Sequence, residues 1–264
     1  ENSLISPTSI LLALSMTANG ADGNTRKEME QLLGQGISLE DLNKYLYTYV
    51  EALPNSKKTQ INIANSIWLR DEESFKPKEE FLQTNADYYK AAIYKADFSS
   101  QGTAQDINNW VNKNTNKMID KIVDEISADT LMYLINAMAF EGEWQNIYEK
   151  VHVGEGIFKS YTGAEETAEF IRSKEGLYLE DGMATGFLKP YAGNDYSFFA
   201  LLPNEGIDIN TYINSLEGES FLKLINGATQ EAVNASIPKF SFSYSINLNS
   251  ALQALGVKAA FNPS

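Results

Sequence analysis

The chain has 264 residues, 43% hydrophobic and 11% aromatic, long enough to bury one large core or two small ones. Acidic residues outnumber basic ones 35 to 21, and the formal charge of -14 repels phosphate backbones and anionic lipid, which argues against nucleic-acid and membrane-surface binding. With no cysteine and one histidine, His152, disulfides, thiol catalysis and the usual nitrogen and sulfur metal sites are excluded.

In chain order, "NSLI" reads as a short apolar strand, after which Ser6 can cap a helix and Pro7 can take its first position. That helix runs to Asn19-Gly20, a C-terminal stop signal. A second helix through "TRKEMEQLLG" starts at Asn24 or Thr25, and Ser38 with Asp41 forms a capping box for a third, "LEDLNKYLYTYVEAL". From Gln60 the period changes: Ile61, Ile63, Asn65 and Ile67 share one face of a strand, and Asn62, Ala64, Ser66 and Trp68 the other. A short helix around "PKEEFLQTN" and a strand "DYYKAAIYKADF" follow. The stretch "TAQDINNWVNKNTNKMIDKIV" is then an amphipathic helix suited to lie across a sheet.

The apolar runs "ILLALSM" and "LMYLINAMAF" are too short to span a bilayer and read as buried core, the second as a strand covered on both faces. The second half is rich in strands: "TAEFIRSKEGLYLE", "ATGFLKPYAG", "YSFFALLPNEG" and "TQEAVNASIPKFSFSY", with Asp208 capping a helix to Leu216 and another near "ESFLKLI". "NLNSALQALG" is a last amphipathic helix before the turn signal "AFNPS". Strands and helices without a strict alternating rhythm predict an α+β fold with antiparallel or mixed sheets, in one domain over residues 1–264.

Catalytic signatures are scarce. There is no G-x-S-x-G elbow and no His-x-x-x-His pair, so a Ser-His hydrolase would rest on His152 alone, a residue beside a glycine-rich turn of the kind that is ordinarily surface or packing. "NGADGNTRKEME" fails as a calcium loop because Ala18 stands where an acidic ligand is required. "GQG" at Gly34 and "GEG" at Gly154 lack the third glycine of a dinucleotide site and read as loops. Asn234-Ala235-Ser236 is a formal glycosylation sequon inside an expected strand and reads as chance, and paired acids such as Glu165-Glu166 read as solvated surface.

Taken together, these segments resemble the serpins, the serine protease inhibitor family, over essentially the whole chain. "NSLISPTSI" is similar to the family's N-x-x-x-S-P-x-S-I segment, and "NAMAFEGEW" resembles its N-A-x-x-F-x-G-x-W. "NGADGNT", "ANSIWL", "INNWVNKNTNKMI", "FFALLPNEG" and "IPKFSFSYSINLNSALQALGVKAAF" resemble further family segments in the same order. One departure is Glu141, where the family commonly has a basic residue.

The resemblance implies a serpin fold of three mostly antiparallel β-sheets with about eight or nine helices. It also implies inhibition of serine-type endopeptidases: a reactive loop is cleaved and inserts as a strand into the large sheet of a metastable protein, without catalysis by the inhibitor. By the same resemblance Asn2, Ser6, Ser9 and Asn136 match the polar shutter behind that sheet, and Trp144 matches the breach, where insertion begins. Each also has a bland reading, Ser6 as a helix cap, Asn136 as a partner for backbone groups and Trp144 as core.

The implied partner is a target protease of the serine or cysteine type. No cofactor is expected, a polyanion included, because Lys44, Lys57 and Lys58 lie among Glu40, Asp41 and Glu51. The family has a helix before the stretch that starts here, and a sheet strand, hinge, reactive loop and closing strands after "AFNPS". The expectation is therefore an incomplete domain, inactive alone, with exposed sheet edges that invite self-association or strand addition. The alternative within the family is a non-inhibitory carrier, storage or chaperone-like protein, decided by the hinge. An extracellular or cell-surface location is favoured by analogy alone.

Overall fold

The computed structural model describes residues 2–160 and 163–262, which divide into two compact units. The first comprises residues 1–55, 60–140 and 243–264, and the second residues 56–59 and 141–242. Among the described residues there are eight α-helices and eight strands.

The first unit opens with α1 (Pro7–Ala18), α2 (Gly23–Gly34) and α3 (Leu39–Ala52). Their starts follow the capping chemistry in the sequence. Ser6 accepts a hydrogen bond from the Ser9 amide and Pro7 occupies the first turn, Asp22 accepts from Gly23, and Ser38 accepts from Asp41. The second helix thus begins just ahead of Asn24, with an aspartate cap. The expected strand at "NSLI" does not form: residues 2–6 are irregular, with Leu4 65% and Ile5 60% exposed.

A three-stranded sheet follows in the order β2-β1-β3, built from β1 (Thr59–Arg70), β2 (Ala92–Ala96) and β3 (Met132–Gly142). β1 and β2 run parallel, with Trp68 opposite Tyr94 and their rings stacked at 4.3 Å. α4 (Glu79–Tyr89) takes up the first part of the segment expected as the strand "DYYKAAIYKADF", leaving five residues to β2. Lys90, in the left-handed region, ends the helix.

Alternation sorts the sheet onto two cores. Ile67, Leu69, Met132, Leu134 and Met138 face the core shared with α1 to α4, whereas Trp68, Tyr133 and Ile135 face α5 (Gln101–Asn114), which contributes Ala104, Ile107 and Val111. The α5 helix covers the sheet as its pattern predicts but stops nine residues short of the expected Val123. Asn116 and Lys117 adopt positive φ, and the Asn108 side chain turns back to accept from the Ile122 and Val123 amides and donate to the Val123 carbonyl. In "NKNTNK", side chains of weak helix propensity meet a tertiary partner that pulls the chain away from the helix.

The second unit is an antiparallel sheet around the 16-residue β5 (Glu165–Glu180). β4 (Val153–Lys159) pairs with its first half, and β6 (Ala184–Pro190) with its last four residues, while β8 (Thr229–Pro238) lines the opposite edge. β7 (Ser197–Pro203) closes the order beyond β6. Two ladders therefore grow in succession from one edge of a single strand. Leu177, Leu179, Leu188, Phe199 and Leu201 form an apolar face against α7 (Gly218–Asn226); Asp208 caps the preceding α6 (Ile209–Ser215).

"GEG" at Gly154 is not a loop but part of β4, where a β-carbon at Gly156 would stand 2.8 Å from Phe170 Cδ2 and one at Gly154 3.1 Å from an Arg172 nitrogen. The glycines let these two β5 side chains lie across the neighbouring strand. The strand at "IPKFSFSY" ends at Pro238, and residues 239–248 are irregular up to α8 (Asn249–Ala254) in the first unit. The closing "AFNPS" contributes a short 3-10 turn to Phe261, and its last two residues lie outside those described.

Candidate functional site

Three of the four expected shutter residues come together in the first unit. Ser9, on the first turns of α1, donates its hydroxyl to the Asn136 side-chain oxygen on β3. Asn136 donates its amide to Asn65 Oδ1 on β1 at 2.8 Å, and Asn65 donates to the Tyr89 carbonyl at the end of α4 at 2.7 Å. Ser6 caps α1 and also donates to the Met138 sulfur at 3.4 Å, so its two readings are not exclusive. The result is a relay of short polar side chains that ties a helix, two adjacent strands and the end of a second helix. It lies on the face otherwise lined by Ile67, Leu69, Leu134 and Met138. Asn2 is exposed ahead of α1 and is not joined to it.

Asn65 is the member that sequence reasoning did not single out. Its place on the face of Ile61, Ile63 and Ile67 was visible from alternation, yet its partner becomes visible only when β1 and β3 lie side by side. A buried amide in an apolar row requires partners for both its ends, and the relay provides them. Beside it, the Tyr89 hydroxyl donates to Asn43 at 2.6 Å, and burial pushes its pKa well above the ordinary tyrosine value.

Trp144 stands in the second unit. The backbone holds it through a bridge to Tyr191, with the Gln145 amide donating to Pro190 at 3.1 Å and the Ala192 amide to Glu143 at 2.8 Å. Its indole stacks on the Tyr191 ring at 4.6 Å and meets Phe198 and Tyr148 edge-on at 5.7 and 6.4 Å. Burial raises the Tyr191 pKa.

The same cluster contains an ion pair absent from the sequence reading. Lys189 Nζ lies 2.8 Å from Glu175 Oε1, with the two side chains only 3% and 5% exposed, and 4.5 and 5.3 Å from the ring centres of Tyr148 and Trp144. A desolvated cation over an aromatic face is worth about 2 kcal/mol, which offsets part of the cost of burying the ammonium. The available signal was a lysine between Phe187 and Tyr191 on alternate positions of an apolar strand.

Strand β3 is the terminal strand of its sheet, so among the described residues its outer edge has no neighbour. Such an edge presents unpaired backbone donors and acceptors to any incoming strand. The relay through Asn136 lies on this same strand.

The family described as "Serpin (serine protease inhibitor)" matches the chain over residues 1–264. Serpin-ZX of Arabidopsis thaliana is 32% identical over 279 residues, covering 99% of this chain and 70% of that protein. Among solved structures, the thermophilic serpin tengpin in its latent state superposes with a TM-score of 0.95 at 53% identity, over 100% of this chain and 71% of that one. A loop C-sheet serpin polymer gives a TM-score of 0.93 at 52% identity, over 100% of this chain and 68% of that one.

Proposed function

The chain belongs to the serpin family, and on that premise we propose that its full-length form is a serine-type endopeptidase inhibitor that traps its target by reactive-loop cleavage and strand insertion. The observation that carries this reading is the Ser9, Asn136 and Asn65 relay, which joins α1, β3 and β1 through short polar side chains. A sheet that opens to admit a strand must exchange side-chain contacts, and the relay interrupts the apolar row of Ile67, Leu69, Leu134 and Met138 with short polar side chains that can change partners. The match across residues 1–264 supports treating them as one serpin domain.

On this reading the inhibitor performs no catalysis; the protease supplies the nucleophile, and pairing of the new strand drives the conformational change. Ser6, Ser9 and Asn136 act as the shutter, now with Asn65, and Trp144 as the breach residue. Asn2 lies apart from the relay, exposed ahead of α1. The partner is a protease of the serine type, with a cysteine protease as the second class to be assayed.

The test is incubation with a panel of serine and cysteine proteases, read on denaturing gels. A full-length chain is expected to form a covalent adduct with at least one serine protease, and the 264 residues alone none. Cleavage of the full-length chain without any adduct, across the panel, overturns the inhibitor reading.

A further inference from the structure

On the face that the chain turns toward Trp144, Lys189 stands between two aromatic residues. Phe187, Lys189 and Tyr191 alternate along it, and Phe198 stands opposite Lys189 on β7. An unbranched apolar side chain at position 189 would fill the same space without desolvating a charge, and such exchanges for buried ion pairs are often neutral or stabilising. The ammonium must therefore do something other than fill space.

What it adds is direction. Glu175, at the point where the pairing of β5 with β8 shifts register, receives a hydrogen bond from Ser173 at 2.5 Å and from Lys189 at 2.8 Å on the same oxygen. The Ser173 hydroxyl lies 3.5 Å from the Tyr148 hydroxyl, and the Tyr148 ring lies under the ammonium and edge-on to Trp144. These contacts close a circuit through Tyr148, Ser173, Glu175 and Lys189, with Trp144 resting on two of its members. Apolar contacts hold a ring in place but leave its rotation loosely fixed; a cation held by a carboxylate fixes which face the ring presents.

We propose that Lys189, oriented by Glu175, is a positioning residue for Trp144, and that through Trp144 it controls how fast the reactive loop inserts in the full-length inhibitor. The second half of this proposal rests on the inhibitor reading above, and the first half does not.

The experiment is fluorine NMR of protein labelled with 5-fluorotryptophan, in which the Trp144 resonance is assigned by its loss in Trp144→Phe. The paired variant Lys189→Met with Glu175→Gln removes both charges and leaves neither partner buried alone. The Trp144 resonance is expected to shift or broaden in it and to be retained in Lys189→Arg, with the Trp68 and Trp110 resonances unmoved in both. An unmoved Trp144 resonance in the paired variant overturns the proposal. Should Trp68 and Trp110 also move, showing lost folding, Glu175→Asp, which keeps both charges and shortens the reach of the carboxylate, decides by the same criterion.

In the full-length chain, the paired variant is expected to change the rate of adduct formation by up to about thirtyfold, the scale of losing one desolvated contact of this kind. An unchanged rate alongside a moved Trp144 resonance overturns the kinetic half. A wild-type full-length chain that forms no adduct overturns the inhibitor reading, and the positioning role is then decided by the resonance.

Discussion

Asn136 uses both ends of its amide, accepting from Ser9 and donating to Asn65, so no truncation at this position is neutral. Asn136→Ala leaves the Asn65 oxygen and the Ser9 hydroxyl without these partners and is expected to cost about 1–3 kcal/mol, measured by urea unfolding. A loss no larger than that of an exposed asparagine would show that the relay carries no stability. Gly186 is constrained by backbone rather than by chemistry. It pairs with Leu201, and a β-carbon there collides with the Ala200 carbonyl oxygen and lies 2.9 Å from Leu201 Cδ2. Gly186→Ala is expected to destabilise the second unit by about 1–3 kcal/mol or to separate β6 from β7, and unchanged thermal unfolding would contradict that packing. At this scale the motifs singled out Ser6, Ser9, Asn136 and Trp144, whose identities are conspicuous in the sequence. They missed Asn65 and the Lys189 and Glu175 pair, because each depends on which strand becomes its neighbour and, for Glu175, on a register shift no local pattern announces.

At the scale of elements, capping residues were the most legible feature: Ser6, Ser38 and Asp208 start helices where their chemistry places them. Strand alternation was legible as faces but not as pairing. Residues 239–244 keep the alternation, with Phe240 66% exposed, but the ladder with β5 reaches only the Lys239 amide, which donates to the Glu169 carbonyl at 2.8 Å, and the strand ends at Pro238. The 3-10 turn at Ala259–Phe261 has a definable electrostatic anchor. Glu28 on α2 accepts the Ala259 amide at 2.7 Å and the Lys258 amide at 2.6 Å, and these two bonds hold its carboxyl below the ordinary glutamate range. Because the folded pKa is the lower one, the anchor is complete above the ordinary glutamate range and is lost as pH falls through the depressed value. The protection of the Lys258 and Ala259 amides against hydrogen exchange, corrected for the intrinsic pH dependence of exchange, is expected to fall on acidification, and in Glu28→Gln this acid-dependent loss is absent. The same acid response in both proteins would rule out Glu28 as the anchor.

For the whole molecule, the family was legible because its motifs recur in order along the chain, each carried by side-chain identity rather than by pairing. Among the described residues the outer edge of β3 has no neighbouring strand, and this has a direct physical consequence. Unpaired edges associate, so the 264-residue chain is expected to grow in apparent mass with concentration in light scattering, and a constant monomer mass up to high concentration would contradict this. Strand addition to that edge is also what the inhibitor reading requires, within one molecule in place of between two. The measurement that tests it most directly is the thermal unfolding of the full-length protein before and after a single cut in its reactive loop. Insertion of the freed loop completes the sheet, and the account predicts that the cut protein unfolds at a higher temperature than the intact one. An unfolding temperature that is unchanged or lower after the cut, as expected for an ordinary nicked loop, would contradict it.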